Sequence, residues 1–346
     1  MNKINLNNLL EELQEDGGKT PLKRHDKVLL IDGLNLFFRN FAILNMVNPN
    51  GLHIGGLGGF LRSLGALIRI NQPTCVYVVF DGVDSSNKRK NLLPEYKSGR
   101  EHTRITNWDA FNNIDEEHEA KINQIIRLIQ YLKLLPIKVI SIDKVEADDI
   151  ISVLGTELNK KYNAHSTIVS VDKDFLQLIN ENITIYSPIE KEFYNSQKLK
   201  LKYDIIPENF IIYKTLLGDN SDKIPGIKGL GVKKLFKLFP ELKGSKLVMD
   251  DLFKISKSKF KEHIIYARII QDWERLKKNY IIMDLTKPLV SDEEISYINS
   301  IIDKEFPKLD EKTFKSLYKQ DQLGNLIRNL DYWIKENFTH LNNYKN

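Results

Sequence analysis

Nine carboxylates fall in five places along the chain, and each of the first four places is the end of a short apolar run. The run VLLI at 28–31 leads straight into Asp32, and VYVVF at 76–80 into Asp81. IKVISI at 137–142 precedes Glu146, Asp148 and Asp149, and TIVSV at 167–171 precedes Asp172 and Asp174. The fifth place, GDNSD at 218–222, supplies Asp219 and Asp222 from a turn-like segment. Short β-branched runs separated by helical stretches predict parallel strands of an α/β sheet. Ligands of such sheets gather outside the carboxyl ends of the strands, so the acid-bearing ends imply one dense negative pocket. Carboxylates that close cannot all stay ionised without a cation. Mg²⁺ or Mn²⁺, hard ions that take oxygen ligands, are the expected partners.

Composition narrows the class further. With 346 residues and 42% hydrophobic content, the chain can form one large or two modest domains. Its single cysteine, Cys75, lies in an apolar run. That excludes an internal disulfide and thiolate zinc sites, and points to a reducing, cytoplasmic compartment. The polar stretch 1–26 lacks a secretory-type apolar core, and no apolar run is long enough to span a membrane. Net charge is only +5, but the acids cluster at strand ends and the bases elsewhere. Such separation suits metal in one place and a polyanion in another.

Along the chain, 1–26 reads as a lead-in, 27–206 as an α/β core and 207–346 as a mostly helical C-terminal part. Helices are predicted at 34–44, 57–70, 120–135 and 147–161. In the last, Ala147, Ile150, Ile151 and Leu154 form a stripe at helical spacing, which puts Asp148 and Asp149 in the first turn. The helix dipole favours acids there, so a capping role accounts for one of them. Segment 83–104 breaks the alternation. It carries Lys88, Arg89, Lys90, Lys97, Arg100 and Arg104 around Tyr96, with Trp108 beyond. Bases interleaved with an aromatic suit a single nucleic-acid strand, phosphates neutralised and a base stacked; a solvated loop is the plain alternative.

A second basic element, GIKGLGVKKLFK at 226–237, opens a helix with Gly229 and Gly231 and follows them with Lys233 and Lys234. Closely spaced glycines let backbone N–H groups approach a phosphate at a helix N-terminus. Gly226 to Gly231 has the Walker spacing, but Val232 stands where the lysine must be. The glycines at 55–59 do not follow a strand, so they are no dinucleotide fingerprint. A helix-hairpin-helix clamp at about 213–240 is the expectation, against a plain helical corner. No HExxH spacing and no Ser-His-Asp or Cys-His arrangement stands out.

Together these motifs resemble the flap endonuclease / 5′→3′ exonuclease superfamily. Asp32-Gly33 with Arg39 is similar to its first motif, and GGFLR at 58–62 to its first long helix. FDG at 80–82 followed by PEYK at 94–97 and Arg100 resembles the strand and arch of bacterial and phage members. VEADD at 145–149 and SVDKDF at 170–175 resemble the central acidic motifs, and LGDNSDKIPGIKGLG at 217–231 the hairpin entry of polymerase-associated exonucleases. WERLKKNYIIMD at 273–284 looks, more loosely, like phage RNase H.

The resemblance implies a PIN-like nuclease core, a mostly parallel sheet flanked by helices. It adds a helical arch at about 83–119, a helix-hairpin-helix (H3TH) element and a helical C-terminal part. It also implies two Mg²⁺ ions, with Mn²⁺ as a substitute. Asp32, Asp81, Glu146 and Asp148 would surround the first, and Asp172, Asp174, Asp219 and Asp222 would hold the second; Asp149 is the remaining candidate. Arg39, Lys97 and Arg100 match positions that steady the scissile phosphate, and Tyr96, Gly229, Gly231, Lys233 and Lys234 extend the DNA contacts. K⁺ at the hairpin and a single-strand-binding protein as partner are further implications. A departure is 101–119, richer in Asn, Asp and Glu than a uniformly basic arch.

The expected activity is metal-dependent 5′→3′ exonuclease and 5′-flap endonuclease action on DNA replication intermediates, by a monomer, with a bacteriophage source and host cytoplasm as the setting. Two-metal hydrolysis would leave 5′ phosphates on flapped, nicked or 5′-ended DNA. RNase H-type removal of RNA primers from RNA–DNA hybrids is a second expected activity. Two rivals are a non-catalytic nucleic-acid-binding protein that uses the hairpin, and a metal-dependent phosphatase. The first predicts missing acids, and the second leaves the hairpin unexplained.

Overall fold

The computed structural model describes residues 22–99 and 105–344. Strands β1 (Lys27–Asp32), β2 (Cys75–Val79), β3 (Lys138–Ile140), β4 (His165–Val169), β5 (Ile183–Ser187) and β6 (Glu192–Tyr194) form one sheet in the order β3-β2-β1-β4-β5-β6. The first five run parallel, and β6 returns antiparallel on β5. Chain order reverses between β1 and β4, so the acid-bearing strand ends flank the switch point, where sheets of this kind bind ligands. Alternate residues of β1 serve opposite cores, Val28 and Leu30 on one face, Leu29 and Ile31 on the other. Both faces are covered, which is why these strands read as unbroken apolar runs rather than as alternation.

Helices α1 (Gly33–Ile43), α2 (Gly55–Asn71) and α4 (Ile114–Leu132) pack on the Leu29 face, while α5 (Ala147–Tyr162) packs on the Val28 face. The short α3 (Asn87–Leu92) lies between β2 and α4. Helix α4 starts six residues earlier than its apolar pattern predicts. The Asn113 side chain accepts from the Glu116 N–H, and Asp115, Glu116 and Glu117 fill the first turn. Part of the acidic character of 101–119 is therefore an N-terminus suited to the helix dipole.

Seven helices extend the Val28-side core. They are α6 (Ser196–Tyr203), α7 (Phe210–Leu217), α8 (Val232–Leu238), α9 (Met249–Ser258), α10 (Ile264–Gln271), α11 (Trp273–Met283) and α12 (Asp292–Asp303). The last two, α13 (Glu311–Gln320) and α14 (Leu330–Phe338), cross to the other face, where Phe314, Trp333 and Phe338 join the Leu29-side core. Residues beyond 206 thus feed both cores rather than building one of their own. Gly65 on α2 makes this docking possible, since a Cβ there would overlap the Trp333 indole nitrogen. The lead-in is also tied down where it is described. Arg24 is buried and donates to the carbonyls of Leu341 and Tyr344.

Residues 87–98 correct one expectation. Tyr96 is only 3% exposed and packs with Ile211, Ile224, Ile282 and Met283, with Leu92 and Leu93 alongside. Its apolar company comes from α7, α11 and the strand β8 (Ile224–Pro225), which pairs with β7 (Gly218–Asp219). No local pattern carries that information.

Candidate active site

Each strand end delivers its acid by a distinct local device. Asp32 is the last residue of β1 and the N-cap of α1; its Oδ1 accepts from the Asn35 N–H at 3.0 Å and its Oδ2 from the Ser170 hydroxyl at 3.2 Å. Asp81, two residues past β2, reaches across to accept the Ala147 N–H at 2.7 Å, the first amide of α5. Asp172 caps the 3₁₀ turn after β4 by accepting the Asp174 N–H at 2.8 Å. Asp219 accepts the Ser221 and Asp222 amides through one oxygen, which shapes the 219–222 turn.

Burial pushes the Asp32 carboxyl up to about 7, helped by the nearby charges of Asp81 and Asp172. Asp148, in the first turn of α5, is raised well above the ordinary range by burial and by Asp172 and Asp32. Asp81 is raised by burial too, and Asp174 to about 7 by burial and Asp172. These shifts show that acids from β1, β2, β4 and α5 share one electrostatic neighbourhood. Asp219 differs. Burial would raise it, but Lys214 and Ser221 outweigh that and hold it at about 2.

Two lysines supply positive charge among the acids. Lys97 Nζ lies 3.0 Å from Glu146 Oε2, and Lys214 Nζ bridges Asp174 at 2.6 Å and Asp219 at 2.5 Å. Among the described residues no three acid, His or Cys side chains converge on one point as a ready metal cage. The donor set nevertheless fits a divalent ion. All its atoms are carboxylate oxygens, several are held against ionisation by burial and by one another, and among the described residues the buried Glu146 Oε1 has no hydrogen-bond partner. Hard cations take such ligands.

Two placements depart from expectation. Asp149 points away from the cluster. Arg89 forks onto its two oxygens at 2.5 and 2.9 Å, and the Leu289 N–H donates to it at 3.2 Å. Tyr96 does not offer its ring to a base; it is buried and its hydroxyl donates to Glu146 at 3.0 Å. Arg100 lies outside the described residues. Lys214 was missed as a site residue and Arg89 counted only as a base of its segment. A signal for the first was its place on α7 five residues before Asp219; none existed for the second, whose partner is sixty residues away.

Arg39 lies two turns along α1 from Asp32, in a cleft of about 740 Å³ that it lines with Arg62, Arg69, Lys191 and Arg328. In the hairpin, Gly229 has φ +80° and Gly231 is the N-cap of α8. Lys233 and Lys234 are exposed, and Lys234 Nζ donates to the Gly229 carbonyl at 2.8 Å.

The model of the family described as "5′-3′ exonuclease, N-terminal resolvase-like domain" matches residues 27–204, just over half of the 346. The chain belongs to this 5′-3′ exonuclease family. A family relative, the 5′-3′ exonuclease of Aquifex aeolicus, is 28% identical over 84% of this chain and 93% of its own length. The flap endonuclease Xni of Shewanella halifaxensis is 33% identical over 63% of this chain and 79% of its own. Among solved structures, the bacteriophage T5 D15 flap endonuclease in complex with DNA and metal ions has a TM-score of 0.60 at 20% identity. That match covers 86% of this chain and 99% of the T5 chain, and it supports the PIN-like nuclease fold.

Proposed function

We propose that the protein is a divalent-metal-dependent 5′ nuclease that cuts 5′-flapped and 5′-ended DNA by phosphodiester hydrolysis. The observation that carries this is the gathering of Asp32, Asp81, Glu146, Asp148, Asp172 and Asp174 at the carboxyl edge of the sheet, with Glu146 Oε1 buried and, among the described residues, unpartnered. Asp32, Asp81, Glu146 and Asp148 would hold one ion, and Asp172, Asp174, Asp219 and Asp222 a second. Two bound Mg²⁺, or Mn²⁺ in their place, supply an activated water and stabilise charge on the phosphoryl group. Lys97, drawn off Glu146, would bring its ammonium to the phosphate where negative charge develops. Arg39 would steady the same strand from α1. Gly229, Gly231, Lys233 and Lys234 would grip duplex backbone, with K⁺ at the hairpin as a second cation, and so read shape rather than sequence. Asp149 serves as the anchor for Arg89.

The test is a product ladder from 5′-flap, nicked and RNA-primed substrates labelled at both ends, with Mg²⁺ and with Ca²⁺. Mg²⁺-dependent cuts near the flap junction with 5′ phosphates on the downstream product are expected, and the RNA-primed lane reads out primer removal. Efficient cutting of covalently closed single-stranded circles, or products with 3′ phosphates, would refute it.

A further inference from the structure

Glu146 is the N-cap residue of α5, yet its side chain makes no cap bond to that helix. Its Oε2 is held instead by Tyr96 Oη at 3.0 Å, Lys97 Nζ at 3.0 Å and Arg89 Nη1 at 3.1 Å. All three belong to residues 87–98, and among the described residues the buried Oε1 has no hydrogen-bond partner. The same segment reaches the second acid group through its backbone, where the Lys97 N–H donates to the Asp222 carbonyl at 3.0 Å. Lys97 takes φ +53° to do so. Arg89 is itself fixed at every face, by Asp149 and by the Ile282 carbonyl at 2.9 Å. Lys88 pins the outer end to Glu294 and the Leu289 carbonyl.

We infer that residues 87–98 form a clasp whose docking on α11 and β8 sets the metal affinity of the site, with Tyr96 and Arg89 as positioning residues that turn Glu146 Oε1 toward the ion. This rests on the metal reading above and adds a dependence to it. Outer partners that orient a ligand are worth about 10–100-fold in metal affinity when lost. Coupling of this kind is reciprocal: if docking tightens metal binding, metal must shift the equilibrium toward the docked state. The segment carries the phosphate-facing Lys97, so a substrate that draws Lys97 away alters the hold on Glu146 at the same moment.

The experiment titrates Mn²⁺ into the full chain without DNA, for wild type, Tyr96→Phe, Asp149→Asn and Asp148→Asn. Hydrogen exchange at the Lys97 amide is followed with and without Mg²⁺. Tyr96→Phe keeps the ring in its apolar pocket and removes only the hydroxyl, so folding is preserved. We expect a loss of Mn²⁺ affinity of about tenfold in Tyr96→Phe and Asp149→Asn. Saturating Mg²⁺ restores turnover of Tyr96→Phe, and Mg²⁺ slows wild-type exchange at Lys97. Unchanged affinity in Tyr96→Phe, or Lys97 exchange indifferent to Mg²⁺, overturns the clasp. Wild-type Mn²⁺ affinity in Asp148→Asn overturns instead the metal reading on which it rests.

Discussion

Asp32 keeps its proton up to about pH 7 in the absence of metal, because burial and two neighbouring carboxylates oppose its charge. Unfolded, it would lose that proton near the ordinary 3.8. The folded state therefore binds the extra proton between those values, and the metal-free protein loses stability as pH rises through that window. Asp174, also raised to about 7, adds to the effect, whereas His25, lowered from 6.5 to about 4 by burial, opposes it between those two values. Metal-free Asp32→Asn should thus melt several degrees above wild type at pH 8, with the gap closing toward pH 5. Mg²⁺ should raise the wild-type melting temperature more at pH 8 than at pH 5.5, and scanning calorimetry at the two values checks both. An equal rise at both values would mean that the acids do not share one cation-demanding pocket. Asp81→Asn offers a catalytic counterpart. The asparagine oxygen can still accept the Ala147 N–H, so the fold should survive while turnover falls by more than about 100-fold. DNA affinity should hold or rise as negative charge leaves the pocket, which a binding titration in Ca²⁺ would show.

On the proposed function the two basic elements divide the work. In the hairpin, Lys234 is already engaged with the Gly229 carbonyl, so its removal would loosen the turn as well as delete a charge. Lys233 is the cleaner reporter. Lys233→Ala should weaken duplex binding and lower the salt slope by about one unit, with turnover at saturating DNA nearly unchanged. Lys97→Ala should do the reverse, cutting turnover by on the order of 100-fold with modest loss of affinity. Equal effects of both substitutions on binding and turnover would mean the two elements have been assigned wrongly.

Both faces of the sheet are closed by chain from beyond residue 206, and the Leu29 face is closed by the last two helices. Trp333 is 7% exposed and sits against Gly65 between Phe314 and Phe338. Trp333→Ala should cost about 3–5 kcal/mol of stability, read by denaturant unfolding. A change under about 1 kcal/mol would show that this segment is an appendage rather than part of the core. Close packing also accounts for Gly56 and Gly58 of α2, where a Cβ would overlap Phe37 and Leu326.

The positions of the first four strands, the acids that follow them and the hairpin glycines are legible in the residues, because local periodicity and chain order settle them. Asp32 and Asp172 could be placed at strand ends and Asp148 in a helix's first turn without any tertiary information. The strands β5 and β6 were not singled out, and α4 was started late, since its first turn is polar and announced by caps rather than by an apolar stripe. Which acid faces the pocket was a different kind of question. Asp148 and Asp149 are adjacent in one helical turn, and the distant Arg89 and Leu289 hold Asp149 aside. Tyr96 reads as a stacking aromatic until Ile211, Ile282 and Glu146, brought together from three elements, enclose it. Local residue patterns settle the first four strands and the inventory of charges, because both follow from neighbours in the chain. The tertiary structure alone decided how those charges are paired, because pairing depends on side chains far apart in the chain meeting in space.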